Sequence, residues 1–411
     1  MPNTNKQETF ISVLFTLCVA VPYLNYYELT FVVWVTAIML TLKKRYSMGF
    51  TRLTGQFVAI LLIAFGASFF YTFETYNYLK DITYLLKPAI GLLVGYQLCR
   101  SYLVNPLRIV VTTGFLISVA HLLVVVYAFA FFPIGNISDL RMYSGYFSDF
   151  EVYVIILLLF RSRFGLQISA TQAWLFMLVV TVSAIFYFAR TNFIQFGILY
   201  LAMKGHFAVT KRSMTILASL IAFVVLSYSI IFSFNPTRDA EGIEGFMYKV
   251  KNAPIETFKT RVDKEDWKDF NDNYRSYENI LTIRQVSADG PMAVLFGKGL
   301  GSTIDLKREV WLQTSFMRYI PFLHNGFMTV FLKSGIVGLF IYFGTIGYFF
   351  RRRRTADEQI RAINLLFVGT GIFLIFSNWV FLGFYNLFDT KVILVGFLIA
   401  YRERLNKAIT Q

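Results

Sequence analysis

The sequence PFLHNGFMTVFLKSGIVGLF, residues 321–340, joins the only long polar segment of the chain, residues 234–323, to a new apolar run. Elsewhere, apolar runs of about 18–20 residues recur, and such runs match the roughly 30 Å hydrocarbon thickness of a bilayer. Hydrophobic residues make up 56% of the 411 residues and aromatic residues 18%, which excludes a soluble domain. The polar segment is therefore interpreted as the working surface of an integral membrane protein.

The apolar runs predict an all-α polytopic membrane protein with about twelve transmembrane helices in a single domain, residues 1–411. Residues 172–203 would form a helix of about 48 Å, too long for one span, and are divided at Arg190-Thr191-Asn192. The short run at residues 150–160 contains Glu151 and is kept because its loss would reverse the side of every later charge cluster. Two of the twelve runs precede residue 43, and two lie within residues 172–203. The other eight are residues 55–72, 82–99, 108–132, 150–160, 214–233, 325–350, 362–382 and 388–401.

The positive charges predict the orientation. The short basic clusters, which lie near residues 6, 43–52, 100–108, 161–163, 204–212, 351–361 and 402–407, hold 20 basic and four acidic residues. Lys and Arg are concentrated in cytoplasmic loops, so these segments and both termini are predicted to be cytoplasmic. The segment 234–323 contains 13 basic and 13 acidic residues and becomes one large helical periplasmic loop. Because the basic charge is divided among short loops, it does not indicate nucleic-acid binding.

The cysteines and two of the three histidines carry no evident chemistry. Cys18 and Cys99 lie in different apolar runs at different depths, so no disulfide is expected. No Cys/His spacing for a metal is present. His121 is interpreted as a packing residue inside its run, and His206 lies near the inner face, remote from the periplasmic loop.

The loop contains one amphipathic helix, predicted at residues 274–288 and ended by Asp289-Gly290-Pro291. It has an apolar and a polar stripe: Tyr274, Tyr277 and Leu281 on the first, Arg275, Glu278, Asn279 and Thr282 on the second. Arg275 and Arg284 are about 180° apart at 100° per residue, so only one of them can face a site.

The second half of the loop contains two further patterns. GKGLGS, residues 297–302, matches a phosphate loop only superficially, because no strand–turn–helix unit surrounds it; a flexible turn is favoured. Residues 311–323 are rich in aromatic side chains and are expected to lie along the membrane interface.

By this topology Arg190, Arg275 and His324 converge on the outer side. FARTN, residues 188–192, resembles the "SRT" segment of the O-antigen polymerase and O-antigen ligase superfamily, although Ala189 stands where the family often has Ser. Arg275, the sequence LFGKGLG at 295–301, HNGF at 324–327 and GIVG at 335–338 are similar to the C-terminal signature of that superfamily. The resemblance covers residues 180–345 in motif and the whole chain in topology.

The resemblance implies a metal-independent, inverting glycosyltransferase without a cofactor, in the bacterial inner membrane, with its active side periplasmic. Its partners would be a polyprenyl diphosphate-linked glycan donor, a glycan acceptor and membrane lipids, and could include a chain-length regulator and a flippase. Guanidinium groups can bind the leaving diphosphate bidentately, which assigns Arg190 and Arg275. A neutral imidazole suits the base that deprotonates the acceptor hydroxyl, which assigns His324. The candidate substrate-binding residues are Arg284, Asn325, Lys298 and Glu151.

The same residues could instead have purely structural roles. Arg190 could extend to the membrane interface, His324 could cap the helix that follows it, and Arg275 could form an ion pair with Glu278. The acids Asp149, Glu151 and Asp389 could bind sugar hydroxyls or pair with Arg141 and Lys391, and pairing is favoured.

The expected activity is polymerisation of lipid-linked repeat units into O-antigen or another surface polysaccharide. The alternative is the ligase, which transfers finished glycan to the lipid A core by the same leaving-group chemistry. A secondary transporter or lipid-linked glycan flippase is less favoured. It predicts charged residues at mid-membrane depth and broken helices related by symmetry, and the sequence indicates neither.

Overall fold

A computed structural model describes residues 2–410 except 102, 136, 146–147, 209, 238–239, 241–242, 246, 249, 253–258, 264, 313–314, 352–354 and 387. Of the residues described, 75% are helical. The basic residues at 352–354, which belong to one of the clusters predicted to be cytoplasmic, lie outside the described residues.

Each of the twelve predicted runs coincides with a helix. The helices are α1 (Pro2–Ala20), α2 (Tyr27–Thr41), α3 (Met48–Ser68), α4 (Thr75–Arg100), α5 (Pro106–Phe131), α6 (Ile137–Ser144), α7 (Asp149–Leu159), α8 (Ala170–Phe186), α9 (Arg190–Met203), α10 (Lys211–Phe234), α11 (Trp267–Asp272), α12 (Tyr274–Ala288), α13 (Pro291–Phe296), α14 (Gly326–Tyr348), α15 (Glu358–Val380) and α16 (Lys391–Thr410). Within the described residues, seven helices are long and apolar enough to cross a membrane by length and composition. The other five runs are helical but shorter or less apolar, so the count of twelve spans stays a prediction.

Helix α10 shows most directly why the bundle needs a lipid environment. Its apolar span, Met214–Phe234, has a mean hydropathy of 2.4, and none of it is buried against the rest of the chain. Large apolar side chains such as Ile221, Phe223 and Leu226 are more than 60% exposed. Exposed apolar area on this scale is unfavourable in water and matches a hydrocarbon surrounding.

The core of the bundle is a close crossing of α4 and α16. Gly95 of α4 lies against the backbone of Ile393 and Phe397, and Gly396 of α16 lies against the backbone of Leu92. A methyl group at either glycine would collide with the opposite helix, so only glycine permits this approach. The crossing places the first turns of α16 beside residues 91–95 in the C-terminal half of α4.

The loop is not wholly helical, which corrects the prediction for residues 304–320. Strands β1 (Ile304–Leu312) and β2 (Ser315–Ile320) form an antiparallel hairpin in which Ile304 pairs with Ile320. Ile304 and Leu306 are fully buried while Asp305 between them is partly exposed, so the residues alternate with the period of a strand. The Gln285 side chain of α12 bonds both the N–H and the carbonyl of Asp305, at 3.0 and 2.7 Å, and holds the strand against the helix.

The glycine-rich segment 297–302 is not the flexible turn that was favoured. Its backbone N–H groups donate to protein acceptors: Lys298 to the Leu332 carbonyl at 2.8 Å, Gly299 to the Lys333 carbonyl at 3.2 Å, Leu300 to Ser68 Oγ at 2.7 Å and Gly301 to Asp81 Oδ2 at 2.7 Å. In a phosphate loop these N–H groups would donate to the bound phosphate, whereas here they already donate to protein acceptors. The segment is a buried joint between α3, α4 and α14.

A break in α14 completes this joint. Gly335 has φ +63° and ψ −162°, and its Cα faces the backbone of Leu295, where a side chain would collide. Only glycine adopts this conformation readily. Lys333, two residues earlier, is fully buried and lies 2.5 Å from Asp81 Oδ2, so a paired charge anchors the break inside the bundle.

The orientation of the bundle can be tested by labelling. Cysteines introduced at Asn235 and Ser287, which are exposed, should react with a membrane-impermeant thiol reagent in intact spheroplasts, whereas one at Ala356 should not. The native Cys18 and Cys99 are buried and should give little background. Labelling at Ala356 alone would reverse the orientation and remove the loop from the periplasmic side.

Candidate active site

Arg275 and His324 meet at one end of the helical bundle. Arg275 stands in the first turn of α12, and its guanidinium carbon lies 5.9 Å from the ring centroid of Phe381, directly after α15. The Phe381 carbonyl accepts a hydrogen bond of 2.8 Å from the N–H of Gly326, the first residue of α14. His324 is two residues before Gly326, so the arginine and the imidazole share one surface at the junction of three helices.

His324 is held by a buried carboxylate. The backbone N–H of His324 donates to Glu278 Oε2 at 2.9 Å, and Nδ1 lies 3.0 and 3.1 Å from the two carboxylate oxygens. Glu278 is only 1% exposed, whereas the His324 side chain is 45% exposed. Because an ionised carboxylate only accepts, Nδ1 carries the hydrogen, and Nε2 is the nitrogen suited to accept a proton.

Tyr274 closes the other side of this pair. Its ring lies edge-on to the His324 ring, with centroids 5.6 Å apart. Burial and the nearby charge of Glu278 raise the pKa of the Tyr274 hydroxyl above its ordinary value. The hydroxyl therefore stays protonated at neutral pH, and no second base is created beside the imidazole.

Asn325 caps the helix that follows. Its Oδ1 accepts from the N–H groups of Phe327 and Met328 at 2.9 and 3.1 Å, and the residue is 1% exposed. The interpretation of His324 as the cap of this helix is therefore wrong, because Asn325 is the N-cap residue. The expected role of Asn325 in substrate binding is not supported by its buried position.

Arg190 approaches the same end from another pair of helices. α8 ends at Phe186 and α9 begins at Arg190, which confirms the predicted division of residues 172–203. Phe188 adopts a left-handed backbone with φ +46° at the break, and Arg190 is exposed in the first turn of α9. Its neighbour Thr191 lines a narrow cleft together with Phe381, over which Arg275 lies. Arg190 is thus next in sequence to one residue that lines this cleft, and Arg275 lies over another.

The floor of this cleft is a buried ionic cluster. Lys391 lies 2.6 Å from Asp149 Oδ2 and also pairs with Asp389, which confirms pairing of both acids with this lysine. Lys87 donates to the carbonyls of Asn386 and Asp389, the latter at 2.9 Å. The cleft itself holds about 10 Å³, room for about one water molecule. The cleft is therefore too small to hold a ligand much larger than water.

Three predicted site residues lie elsewhere. Arg284 is exposed on the face of α12 opposite Arg275. Lys298 pairs with Asp289 at 2.5 Å, at the far end of α12, about 21 Å along the helix axis from Arg275 at 1.5 Å per residue. Glu151 is fully buried between helices and bonds Ser183, so the favoured pairing of this acid with a basic residue is not found among the described residues. The structure therefore brings Arg275, His324 and Arg190 to one end and leaves these three apart from them.

Glu151 belongs to a separate polar network inside the bundle. It accepts a hydrogen bond of 3.1 Å from Ser183 Oγ, which lies 2.8 Å from His121 Nδ1. His121 is 6% exposed and stacks on Tyr187 with ring centroids 3.8 Å apart. The interpretation of His121 as a hydrogen-bonded packing residue is confirmed.

Charged residues do lie inside the bundle, which corrects the view that the sequence has none at depth. Asp81 with Lys333, and Asp149 and Asp389 with Lys391, are fully or almost fully buried. Each of these three acids faces a lysine, so their charges are compensated, and compensation is the condition under which such groups are tolerated.

Glu278 is the residue of this candidate site that the sequence did not single out. Its signal was present, because it follows Arg275 by three residues on the polar stripe of a well-formed amphipathic helix. That stripe is buried rather than solvated, since Glu278, Asn279 and Thr282 are 1%, 7% and 0% exposed. A buried acid on a loop helix needs a partner, and His324 supplies it.

Comparison with known proteins gives no independent guide to this site. No protein family and no curated protein matches the chain.

Proposed function

We propose that this chain is a membrane glycosyltransferase that polymerises polyprenyl diphosphate-linked oligosaccharide units into O-antigen or another surface polysaccharide. The observation that carries the proposal is the Glu278–His324 pair at the same end of the bundle as Arg275 and Arg190. An oriented base beside two guanidinium groups suits a reaction in which a hydroxyl loses a proton while a diphosphate departs.

The arginines serve the leaving group. When the bond between the anomeric carbon and the phosphate oxygen breaks, that oxygen keeps the electron pair and the diphosphate gains negative charge. Guanidinium groups remain charged at every physiological pH and bind phosphate oxygens in pairs. Arg275 lies over the Phe381 ring, which holds its planar group without neutralising it. Arg190 is exposed next to Thr191, which lines the same cleft as Phe381, and is proposed to contact the same diphosphate.

His324 serves the acceptor. The acceptor hydroxyl attacks the anomeric carbon from the face opposite the departing diphosphate, so the configuration inverts, and its proton passes to Nε2. Glu278 holds Nδ1 and stabilises the imidazolium that forms. The reaction needs no metal to balance charge at the leaving group, since the two arginines supply it.

The lipopolysaccharide pattern of a deletion strain tests the activity and separates the polymerase from the ligase. Loss of a polymerase should leave core carrying one repeat unit. Loss of a ligase should leave bare core with polymer accumulated on the carrier. A normal lipopolysaccharide ladder in the deletion strain would contradict both assignments.

Glu278 is expected to act through the imidazole. Glu278→Gln keeps a hydrogen-bond partner but loses the charge, and activity should fall about 10- to 100-fold, as for other carboxylates that orient a functional histidine. The acid limb of the pH–rate profile should also move to lower pH, because the imidazolium loses a neighbouring negative charge. Steady-state rates of the purified enzyme between pH 5 and 9 measure both effects.

A purely structural role for Glu278 gives a different result. The variant would then lower the amount of folded protein but leave the pH profile of the remaining enzyme unchanged. Glu309→Gln is a suitable control, because it makes the same change at an exposed position of the hairpin.

A transporter or lipid-linked glycan flippase is the second candidate. It is favoured by the buried charges Asp81, Lys333, Asp149 and Lys391 and by the break of α14 at Gly335. Reconstituted vesicles distinguish it: a flippase moves a fluorescent lipid-linked glycan between leaflets without changing its length, whereas the polymerase lengthens it on one side.

A further inference from the structure

The opposite end of the bundle contains a large cavity that the proposed reaction does not use. It has a volume of about 960 Å³ and lies between the loop that joins α2 to α3, the last turn of α4 and the last turns of α16. Its basic lining residues are Arg45, Arg100, Arg404 and Lys407, and its one acidic lining residue is Glu403. Cavities of this size are in the range that holds small-molecule ligands.

The single acidic lining residue, Glu403, accepts hydrogen bonds from neighbouring side chains of the protein. Ser47 Oγ donates to Glu403 Oε1 at 2.5 Å, and the Tyr96 hydroxyl donates to Oε2 at 2.6 Å. Tyr96 in turn stacks on Phe50, with ring centroids 3.8 Å apart. Glu403 therefore fixes the wall of the cavity, while the four basic residues keep a net positive charge.

Two of the basic residues are positioned by the backbone. Arg100 donates from Nη1 to the carbonyl of Arg45 at 2.5 Å, and Arg404 donates from Nη1 to the carbonyl of Leu103 at 2.8 Å. A guanidinium carries five N–H donors, so each of these contacts uses only part of the group. Arg45 and Lys407 are exposed at the rim.

We propose that this cavity binds an anionic phosphate group, carried either by a phospholipid headgroup or by a soluble phosphate compound. Fixed guanidinium groups match phosphate geometry, and four cations around one concave surface create a local positive potential. The remaining lining is apolar and includes Leu103, Val104 and Ala400, which suits the glycerol and first methylene groups of a lipid. A simple excess of cytoplasmic basic residues explains the sign of the charge but not their arrangement around one cavity.

The proposal is tested by binding to the purified full-length chain. Native mass spectrometry with phosphatidylglycerol and phosphatidylcholine forms the lipid arm, and calorimetry with inorganic pyrophosphate forms the soluble arm. The Arg45→Gln/Lys407→Gln variant keeps the backbone contacts of Arg100 and Arg404. It should weaken binding about 30-fold, since each Lys or Arg near an anionic headgroup contributes about fivefold. Arg45→Gln alone should weaken it about fivefold by the same reasoning.

The control is Lys44→Gln/Arg52→Gln, which removes two exposed basic residues from the same end of the bundle but outside the cavity. If the cavity variants weaken phosphatidylglycerol binding and the control variant does not, the ligand is a lipid headgroup. The same pattern with pyrophosphate supports a soluble phosphate compound. Equal weakening by the control variant, or no saturable binding of either probe to the folded wild-type chain, would overturn the proposal.

Discussion

His324→Ala is expected to abolish polymer formation, with a rate loss of about 10²–10⁴-fold, the range that a positioned general base contributes. The variant removes the exposed imidazole that Glu278 holds. Donor binding should remain, because Arg275 and Arg190 still hold the diphosphate. The measurement is polymer length and rate with purified enzyme and carrier-linked repeat units, alongside a separate donor-binding titration.

His324→Gln separates chemistry from structure. Glutamine can donate a hydrogen bond to the Glu278 carboxylate but cannot take up a proton at neutral pH. The catalytic role therefore predicts that Gln fails as Ala does. Because Asn325 caps α14, neither variant removes the helix cap. Robust polymer from His324→Gln at wild-type protein level would refute the assignment of His324 as the base.

Arg275→Lys is expected to lower the rate by about 10²–10³-fold, the usual cost of losing one preorganised donor to a developing negative charge. Lysine keeps the positive charge but loses the planar fork that binds two phosphate oxygens and lies over the Phe381 ring. Arg190→Lys should show the same loss at normal membrane abundance. Single-turnover rates with the lipid-linked donor measure both variants.

Arg284→Lys is the matched control, since it makes the same change on the opposite, exposed face of α12. It should build polymer at the wild-type rate. If Arg275→Lys and Arg190→Lys also built full-length polymer at wild-type rates, neither guanidinium would bind the leaving group, and the diphosphate-binding role would have to be abandoned.

The helices of the bundle could be predicted because their signals are local. Apolar runs of membrane length and one amphipathic pattern depend only on neighbouring residues, and α12 was predicted with the bounds Tyr274–Ala288 that the structure shows. The break before Arg190 followed in the same way, from the length that one span allows. The pairing of Asp149 and Asp389 with Lys391 followed from placing them at one end of the bundle.

The hairpin and the glycine-rich joint could not be predicted by these signals. Residues 304–320 have a short alternating pattern typical of a strand, but their aromatic side chains are equally typical of a segment along the membrane interface. The hydrogen bonds between Gln285 and Asp305 hold this segment as a strand against α12, and these contacts cannot be predicted from local sequence. Gly297 and Gly301 are typical of any turn, and only the packing of α3, α4 and α14 around them makes the segment rigid.

Sequence alone thus determined the membrane class, the helices and the residue types that could meet a diphosphate, since these follow from composition and from spacing along one chain segment. The tertiary structure decided that Arg275 rather than Arg284 faces the bundle, and that Glu278 holds His324 across 46 residues. Such contacts depend on the packing of the loop core around Tyr277, Leu281 and Leu332, which orients α12 as a unit. No local spacing encodes that orientation, because it results from many apolar contacts between distant segments.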